Sequence, residues 1–181
     1  MKFGAKLDDG DLRRLLSKMD GVEEVARGYA TANALTKAGS NVRNESIDKV
    51  KAEFPALRPS RIRKDITLRR ATPTRLEAEI DIERKTTNVV EFTARQTKLG
   101  VTAAFRGGRR ALFPHAFIVP ARGSKKPLVF VRAGGDRLPI RAIPGPSVGG
   151  ILRKYLDELL AHASQDIRAD IERRIAKILG K

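Results

Sequence analysis

The densest chemical pattern in the chain is Asp81-Ile82-Glu83-Arg84-Lys85, which sets Glu-x-Lys on one face of an extended segment. An acid and a lysine flanking a scissile phosphate form the donor set of metal-dependent nucleases, and Asp65 would be the upstream acid. A tripeptide this short recurs by chance, so the nuclease stands as a remote alternative. Gly145-Pro146-Ser147-Val148-Gly149-Gly150 opens a helix whose N-terminus would favour an anion. It lacks the Gly-Lys-Ser/Thr ending of a phosphate-binding loop and reads as a capped helix start. His115 and His162 are the only histidines, and neither sits in a recognisable nucleophile-and-acid arrangement. His115, on a strand after Pro114, reads as structural. The absence of Cys excludes disulfides, iron–sulfur clusters, thiol catalysis and Cys-ligated zinc. No catalytic residue, cofactor or metal is therefore expected.

Charge carries more information. The 181 residues include 37 Lys plus Arg against 21 Asp plus Glu, a balance of +16 that exceeds what solubility requires. A polyanion, an acidic protein surface or an acidic membrane face is the implied neighbour. The excess is uneven. Between Phe92 and Gly135 there is no acid, while Arg95, Lys98, Arg106, Arg109, Arg110, Arg122, Lys125, Lys126 and Arg132 all fall there. A second cluster, Arg58, Arg61, Arg63, Lys64, Arg69 and Arg70, surrounds only Asp65. Basic side chains on turns can follow a regular array of phosphates without reading sequence, and they would equally match an acidic protein partner. Aromatics are 5% of the chain and are not interleaved with the cations, which argues against a single-strand stacking platform. Against this basic background, Glu77, Glu79, Asp81 and Glu83 line one face of one predicted strand. Same-face neighbours lie roughly 7 Å apart, so four acids in line must be solvated or matched by cations. A metal would need further convergent ligands; an exposed acidic face paired with a basic neighbour, in the same sheet or on another subunit, is the preferred reading.

These residues are positioned by helices, then strands, then helices. Leu12, Leu15, Leu16 and Met19 mark a short amphipathic helix, and Asp20 with Glu23 forms a variant capping box for a second one. That second helix runs past Val50 to the Phe54-Pro55 stop, and its middle, Ala26 to Ser40, is rich in Ala, Gly, Thr and Ser. Small residues permit close approach of another backbone, read here as packing within the subunit rather than between subunits. Ser60 is expected to cap one short turn through Asp65. From Leu76 to Glu83 the period changes to two, the clearest strand signal in the chain. Runs ending at Arg106-Gly107-Gly108-Arg109, Arg122-Gly123-Ser124 and Gly134-Gly135-Asp136 predict an antiparallel meander. Successive turns of a meander alternate ends, so Arg106, Arg109 and Arg110 would share one end with Arg132 to Arg137, and Arg122, Lys125 and Lys126 would take the other. Pro139 demotes the last strand to an edge. Pro144-Gly145-Pro146 stops the sheet and Ser147 caps a helix whose apolar stripe continues to Ile178, with a bend placed near His162-Ala163-Ser164.

The expected fold class is α+β in a single domain over 1–181, with N-terminal helices at 1–54, a basic connector at 55–73, an antiparallel sheet at 74–143 and C-terminal helices at 147–180. No run approaches the roughly 18 apolar residues of a membrane span, and Met1 to Gly10 lacks the apolar centre of a signal peptide, so a soluble chain without membrane contact is expected.

The order of these motifs resembles a known family. His115-Ala116-Phe117-Ile118, a glycine turn, Val129-Phe130-Val131-Arg132, Arg137-Leu138-Pro139-Ile140, then Gly145-Pro146-Ser147-Val148 and a long amphipathic helix are similar to the minor tail protein Z family of tailed bacteriophages. The long Ala-rich helix and the basic segment ending Leu68-Arg69-Arg70-Ala71-Thr72 resemble it too. The resemblance implies a non-enzymatic virion protein at the head-proximal end of the tail, related to tail-completion and neck proteins. It implies a homohexameric ring around the DNA channel, with tail terminator, head–tail connector and tape measure proteins as partners and genomic DNA touched through its phosphates. The competing class is a non-sequence-specific DNA-binding protein.

Overall fold

The computed structural model describes residues 2–4, 17, 24–121 and 123–178. The predicted helix over Leu12 to Met19, Ser17 apart, the Asp20–Glu23 cap and Arg122 lie outside the described residues. The fold is α+β: a long N-terminal helix, antiparallel sheets in the middle and a C-terminal helix. The chain divides into two compact units, one comprising Met1–Ser46, Ile66–Ile82 and Arg153–Lys181, the other Ile47–Asp65 and Glu83–Leu152.

The first unit holds β1 (Lys2–Gly4), most of α1 (Glu24–Glu53), β2 (Ile66–Arg69), β3 (Glu79–Ile82) and the C-terminal helix Leu156–Ile178. Its sheet has the order β1-β3-β2, antiparallel throughout. The small residues of α1 pack inside the subunit, as expected: Ala34, Leu35 and Ala38 form a buried cluster with Ile167 and Ile171 of the C-terminal helix. Gly39 serves the same approach, since a Cβ there would come within 2.8 Å of Leu68 Cδ1. Polar rungs flank this apolar contact. Lys37 donates to Asp170 (3.0 Å), Asn41 donates to Asp166 (2.6 Å), and His162 Nδ1 meets Glu45 Oε1 (2.9 Å). The rungs advance by four residues up one helix and down the other, the signature of an antiparallel pair in register. Arg173 and Arg174 also donate to the buried Asp170. Burial pushes that carboxyl up, but the hydrogen bonds and charges of Arg174 and Lys37 outweigh it and hold its pKa below the usual value.

The alternating segment from Leu76 to Glu83 is shorter as a strand than its pattern predicts. β3 covers Glu79–Ile82 alone, because its partner β2 ends at Arg69 opposite Glu79 and the chain then turns through the Thr72–Arg75 bridge. Of the apolar half of the pattern, Ile80 and Ile82 on the strand are buried, whereas Leu76, ahead of it, is exposed. The C-terminal helix also differs. Its interruption is a tightened turn at Arg153–Tyr155, where the chain leaves the second unit, rather than at His162 to Ser164. There Ala163 is buried and Ser164 Oγ donates to the Leu160 carbonyl within an unbroken helix.

The second unit contains the end of α1, α2 (Pro59–Lys64), β4 (Thr86–Asn88), β5 (Arg95–Thr97), β6 (Gly100–Ala104), β7 (Arg110–Pro114), β8 (Phe117–Pro120), β9 (Pro127–Arg132), β10 (Ile140–Ala142), β11 (Pro144–Ser147) and α3 (Val148–Leu152). Pro59 takes the first helical position of α2 and Arg58 precedes it as N-cap without a side-chain bond, so Ser60 is not the cap. Ser147 does cap α3, accepting from the Gly150 N–H at 3.0 Å. The expected single meander is two antiparallel three-stranded sheets, β5-β6-β7 and β8-β9-β10, beside a β4–β11 pair. The ladder breaks at His115, which lies in an exposed turn at φ 57° rather than on a strand. Because the turns belong to two sheets, their alternation does not assign the basic residues to opposite ends. Pro139 immediately precedes β10, which is an edge as expected.

A relay of phenylalanines fills the unit: Phe54 meets Phe92 edge-on at 6.0 Å, Phe92 stacks on Phe105 at 4.9 Å, and Phe105 tilts against Phe113 at 5.7 Å. Two side-chain amides do the cross-linking. Asn88 accepts from the Val129 N–H (2.9 Å) and the Val90 N–H (3.0 Å), and donates to the Val129 carbonyl (3.3 Å). Gln96 donates to the carbonyls of Gly100 (3.1 Å) and Ala116 (3.3 Å) and accepts from the Ile118 N–H (2.9 Å), tying one three-stranded sheet to the other.

Two outcomes follow. Asn88→Ala strands the backbone N–H of fully buried Val129 and is expected to lower unfolding stability by about 2–3 kcal/mol in urea titration, against about 1 for a lone hydrogen bond. A loss under 0.5 kcal/mol would remove the amide from that role. For Asp170, the folded pKa lies below the unfolded 3.8, so its contribution is present above that value and is lost as pH falls through the folded pKa. Asp170→Asn is therefore expected to be destabilised relative to the parent at neutral pH, with the gap in melting temperature narrowing below pH 3.8.

Candidate interaction surface

The excess charge is not shared between the units. The second unit has 19 basic against six acidic residues and carries +13 of the +16; the first has 18 against 15. Six acids cannot pair with nineteen cations, so most of these cations must be solvated or engaged by carbonyls and hydroxyls.

The predicted contacts in this unit separate accordingly. Arg61 is committed to the buried Asp65 and lies 3.4 Å from the Thr87 hydroxyl. Arg106, at the start of the β6–β7 turn, pairs with Glu53 at 3.2 Å although its side chain remains largely exposed. Arg110 turns back along its hairpin, donating to the Thr93 carbonyl (3.2 Å), the Thr102 carbonyl (2.9 Å) and the Thr102 hydroxyl (2.9 Å). Arg63 is exposed on α2. Arg58, Lys64, Arg109, Lys125 and Lys126 are exposed and make no side-chain ion pair or hydrogen bond among the described residues. Gly107 and Gly108, at φ 63° and 76°, fold the turn that presents Arg109, which supports the glycine-hairpin reading of that segment. Arg84, Lys85, Arg95, Lys98, Arg132, Arg137 and Arg141 are exposed cations of the same unit.

The second sequence cluster does not stay together. Arg58, Arg61, Arg63 and Lys64 belong to the second unit, whereas Arg69 and Arg70 belong to the first. Arg69 pairs across the ladder with Glu79 at 3.5 Å, and Arg70 is exposed without a side-chain partner among the described residues.

The acidic line is likewise divided. Glu79 is 8% exposed and sits between Arg69 and Arg75, so it is neutralised within the subunit. Glu77 precedes the strand and pairs with Arg75 while half exposed. Asp81 is half-buried on β3, and Glu83 lies beyond it, exposed. An uninterrupted exposed face of four acids is therefore absent among the described residues, because only Glu79 and Asp81 lie on the strand. Of the nuclease set, Asp65 and Glu83 are neighbours, the Glu83 N–H donating to the Asp65 carbonyl at 2.8 Å. Glu83 and Lys85 are off the strand, and Asp65 is held by Arg61. Among the described residues one group of three potential metal donors converges, Glu45, Glu158 and His162 in the first unit.

Exposed apolar side chains accompany the cations: Leu99 (72%), Leu112 (46%) and Leu138 (68%). Leu112 lies on β7 and Leu138 next to β10, and both strands are edges of their sheets. Basic, apolar and unpaired backbone groups thus share one unit, a composition suited to protein and polyanion contact together.

The family model of prophage minor tail protein Z matches residues 12–180. The chain belongs to this minor tail protein Z family. It is accordingly a structural protein of a phage tail, a component of the virion that works among other tail proteins. No curated protein and no solved structure matches it. No helix among the described residues is long and apolar enough to cross a membrane.

Gln96 and Asn88 were not legible as important residues, since each acts on distant backbone; Arg75 was not, because its contact with Glu79, four residues on, depends on the turn between Thr72 and Arg75. The cations divide by function in a way stability can read. Arg110→Ala is expected to cost about 1–2 kcal/mol through its lost carbonyl bonds. Lys125→Ala and Lys126→Ala should stay within about 0.5 kcal/mol of the parent in the same denaturation assay. Equal effects at all three positions would erase the distinction.

Proposed function

We propose that this chain is the tail-completion subunit at the head-proximal end of a phage tail, forming a six-membered ring that joins tail to head around the DNA channel. Family membership supports the tail role, and the observation that carries the rest is the segregation of +13 into the second unit. Cations on turns and strand ends, with no aromatic interleaving, suit contact with phosphates irrespective of sequence. Arg58, Lys64, Arg109, Lys125 and Lys126 are the leading contacts, with Arg63 and Arg122 beside them in the sequence, and Arg70 a first-unit candidate. Arg61, Arg69, Arg106 and Arg110 serve the subunit's own structure first. Leu99, Leu112 and Leu138, together with the open edges of β7 and β10, supply contact area for neighbouring subunits or for terminator, connector and tape measure proteins. Of the predicted interface acids, Glu83 is the leading candidate for a basic neighbour, with half-exposed Glu77 beside Arg75 and half-buried Asp81 behind it. Repetition around a ring would make individually weak contacts sufficient through avidity. On this reading the chain has no enzymatic step to perform.

The DNA arm is tested by measuring the affinity of the full chain for duplex DNA across a salt series. Binding should weaken steeply with salt, and Lys125→Glu with Lys126→Glu should reduce the salt slope by about one per lost phosphate contact. The charge-matched first-unit pair, Arg153→Glu with Lys177→Glu, should change it less. Equal losses from both pairs would leave only bulk charge and remove the localised surface. Counting the chain in purified particles tests the ring: about six copies are expected for one six-fold closure, and a protein absent from particles would favour the free DNA-binding class instead.

A further inference from the structure

The first unit contains a cross-helix donor set that neither the family nor the charge pattern explains. Glu158 and His162 stand one turn apart on the C-terminal helix, and Glu45 reaches them from α1. One ligand atom from each lies within 4.8 Å of the other two, with His162 Nδ1 and Glu45 Oε1 at 2.9 Å. We propose that these three side chains bind a divalent transition-metal ion of the zinc class, which staples α1 to the C-terminal helix.

The geometry requires little adjustment. Metal bonds of about 2.0–2.2 Å place tetrahedral ligand atoms roughly 3.3 Å apart. The Glu45–His162 pair must open by a few tenths of an ångström, and Glu158 must close by at most about 1.5 Å, within reach of an exposed side chain. The supporting frame is rigid. The Asn41–Asp166 and Lys37–Asp170 rungs and the Ala34, Leu35, Ala38, Ile167, Ile171 cluster hold the two helices in register, so the ligands converge without folding a loop. The side chains of Glu45 and His162 are 28% and 48% exposed, which leaves an ion a route in and room for water as further ligand. The donor set also selects the ion. One imidazole and two carboxylates suit zinc, cobalt or nickel; calcium and magnesium prefer an all-oxygen shell of six or more ligands. The metal replaces the proton shared between Glu45 and His162, and two carboxylates balance its charge. This is also the rung of the seam that lacks a lysine or amide of its own, where the other two use Lys37 and Asn41.

The experiment uses the tag-free full chain, dialysed against chelator and titrated with ZnCl2 by calorimetry and by thermal melting; CoCl2 provides the optical readout. The chain suits the measurement, having no Cys and only one other histidine, His115, in the second unit. The expected result is one Zn2+ per chain, a melting temperature that rises with Zn2+ but not with Mg2+, and cobalt absorption bands of a low-coordinate site. His162→Ala should weaken zinc binding by more than the roughly 10–100-fold that loss of an outer-sphere partner costs, and should abolish the bands. Glu158→Gln, a change at an exposed position, should weaken zinc binding and shrink the zinc-dependent rise in melting temperature, each read against the variant's own metal-free value. His115→Ala should bind like the parent. The proposal is overturned if the parent binds no zinc at micromolar concentration, or if the stabilisation survives His162→Ala.

Discussion

Accumulated like charge is the constraint under which the second unit is built. With 19 cations and six acids, ion pairing cannot hold its elements together, and their mutual repulsion works against compaction. The unit uses neutral interactions instead. The Phe54–Phe92–Phe105–Phe113 relay fills the interior, and the amides of Asn88 and Gln96 substitute for ladder bonds where one sheet gives way to the next. Arginine adapts to the same shortage, as Arg110 satisfies itself on carbonyl and hydroxyl oxygens. The cations left over stand exposed on α2, on turns and on strands, where solvent screens them.

The first unit follows a different rule. Its charges nearly balance, and acids and bases there meet across short distances: Arg69 and Arg75 on Glu79, and Lys37, Arg173 and Arg174 on Asp170. Close helix packing comes from small side chains, with Gly39 accepting the usual helical cost of glycine to admit Leu68. An antiparallel helix pair held by both an apolar cluster and regularly spaced polar rungs is a stiff element. Such a frame gives an assembly subunit a defined shape before it meets its neighbours.

What could be read from the sequence followed from how local each signal is. The long helix, its end at Phe54-Pro55, the buried Ile80 and Ile82, the Arg106–Arg109 turn and the Ser147 cap all depend on residues within a turn or two, and all were legible. The length of β3 was not, because a strand extends only as far as its partner does, and β2 stops at Arg69. The unity of the meander was not legible either, since one left-handed residue, His115, ends a ladder that composition would continue. Glu79 reads as an exposed acid until Arg75, four residues earlier, folds back through the Thr72 turn to cover it. The charge run was visible, but its confinement to one unit depends on how distant segments pack. The Glu45, Glu158 and His162 cluster was not legible, since Glu45 reaches the other two from more than a hundred residues away.

The central claim is that the cationic second unit faces the genome in the assembled particle. Ultraviolet cross-linking of purified, DNA-filled particles, followed by mass spectrometry of nucleotide-bearing peptides, reads this directly. The account predicts cross-links in the peptides that carry Arg109, Lys125 and Lys126, and their loss from particles emptied of DNA. Cross-links confined to first-unit peptides, or none in filled particles, would contradict it.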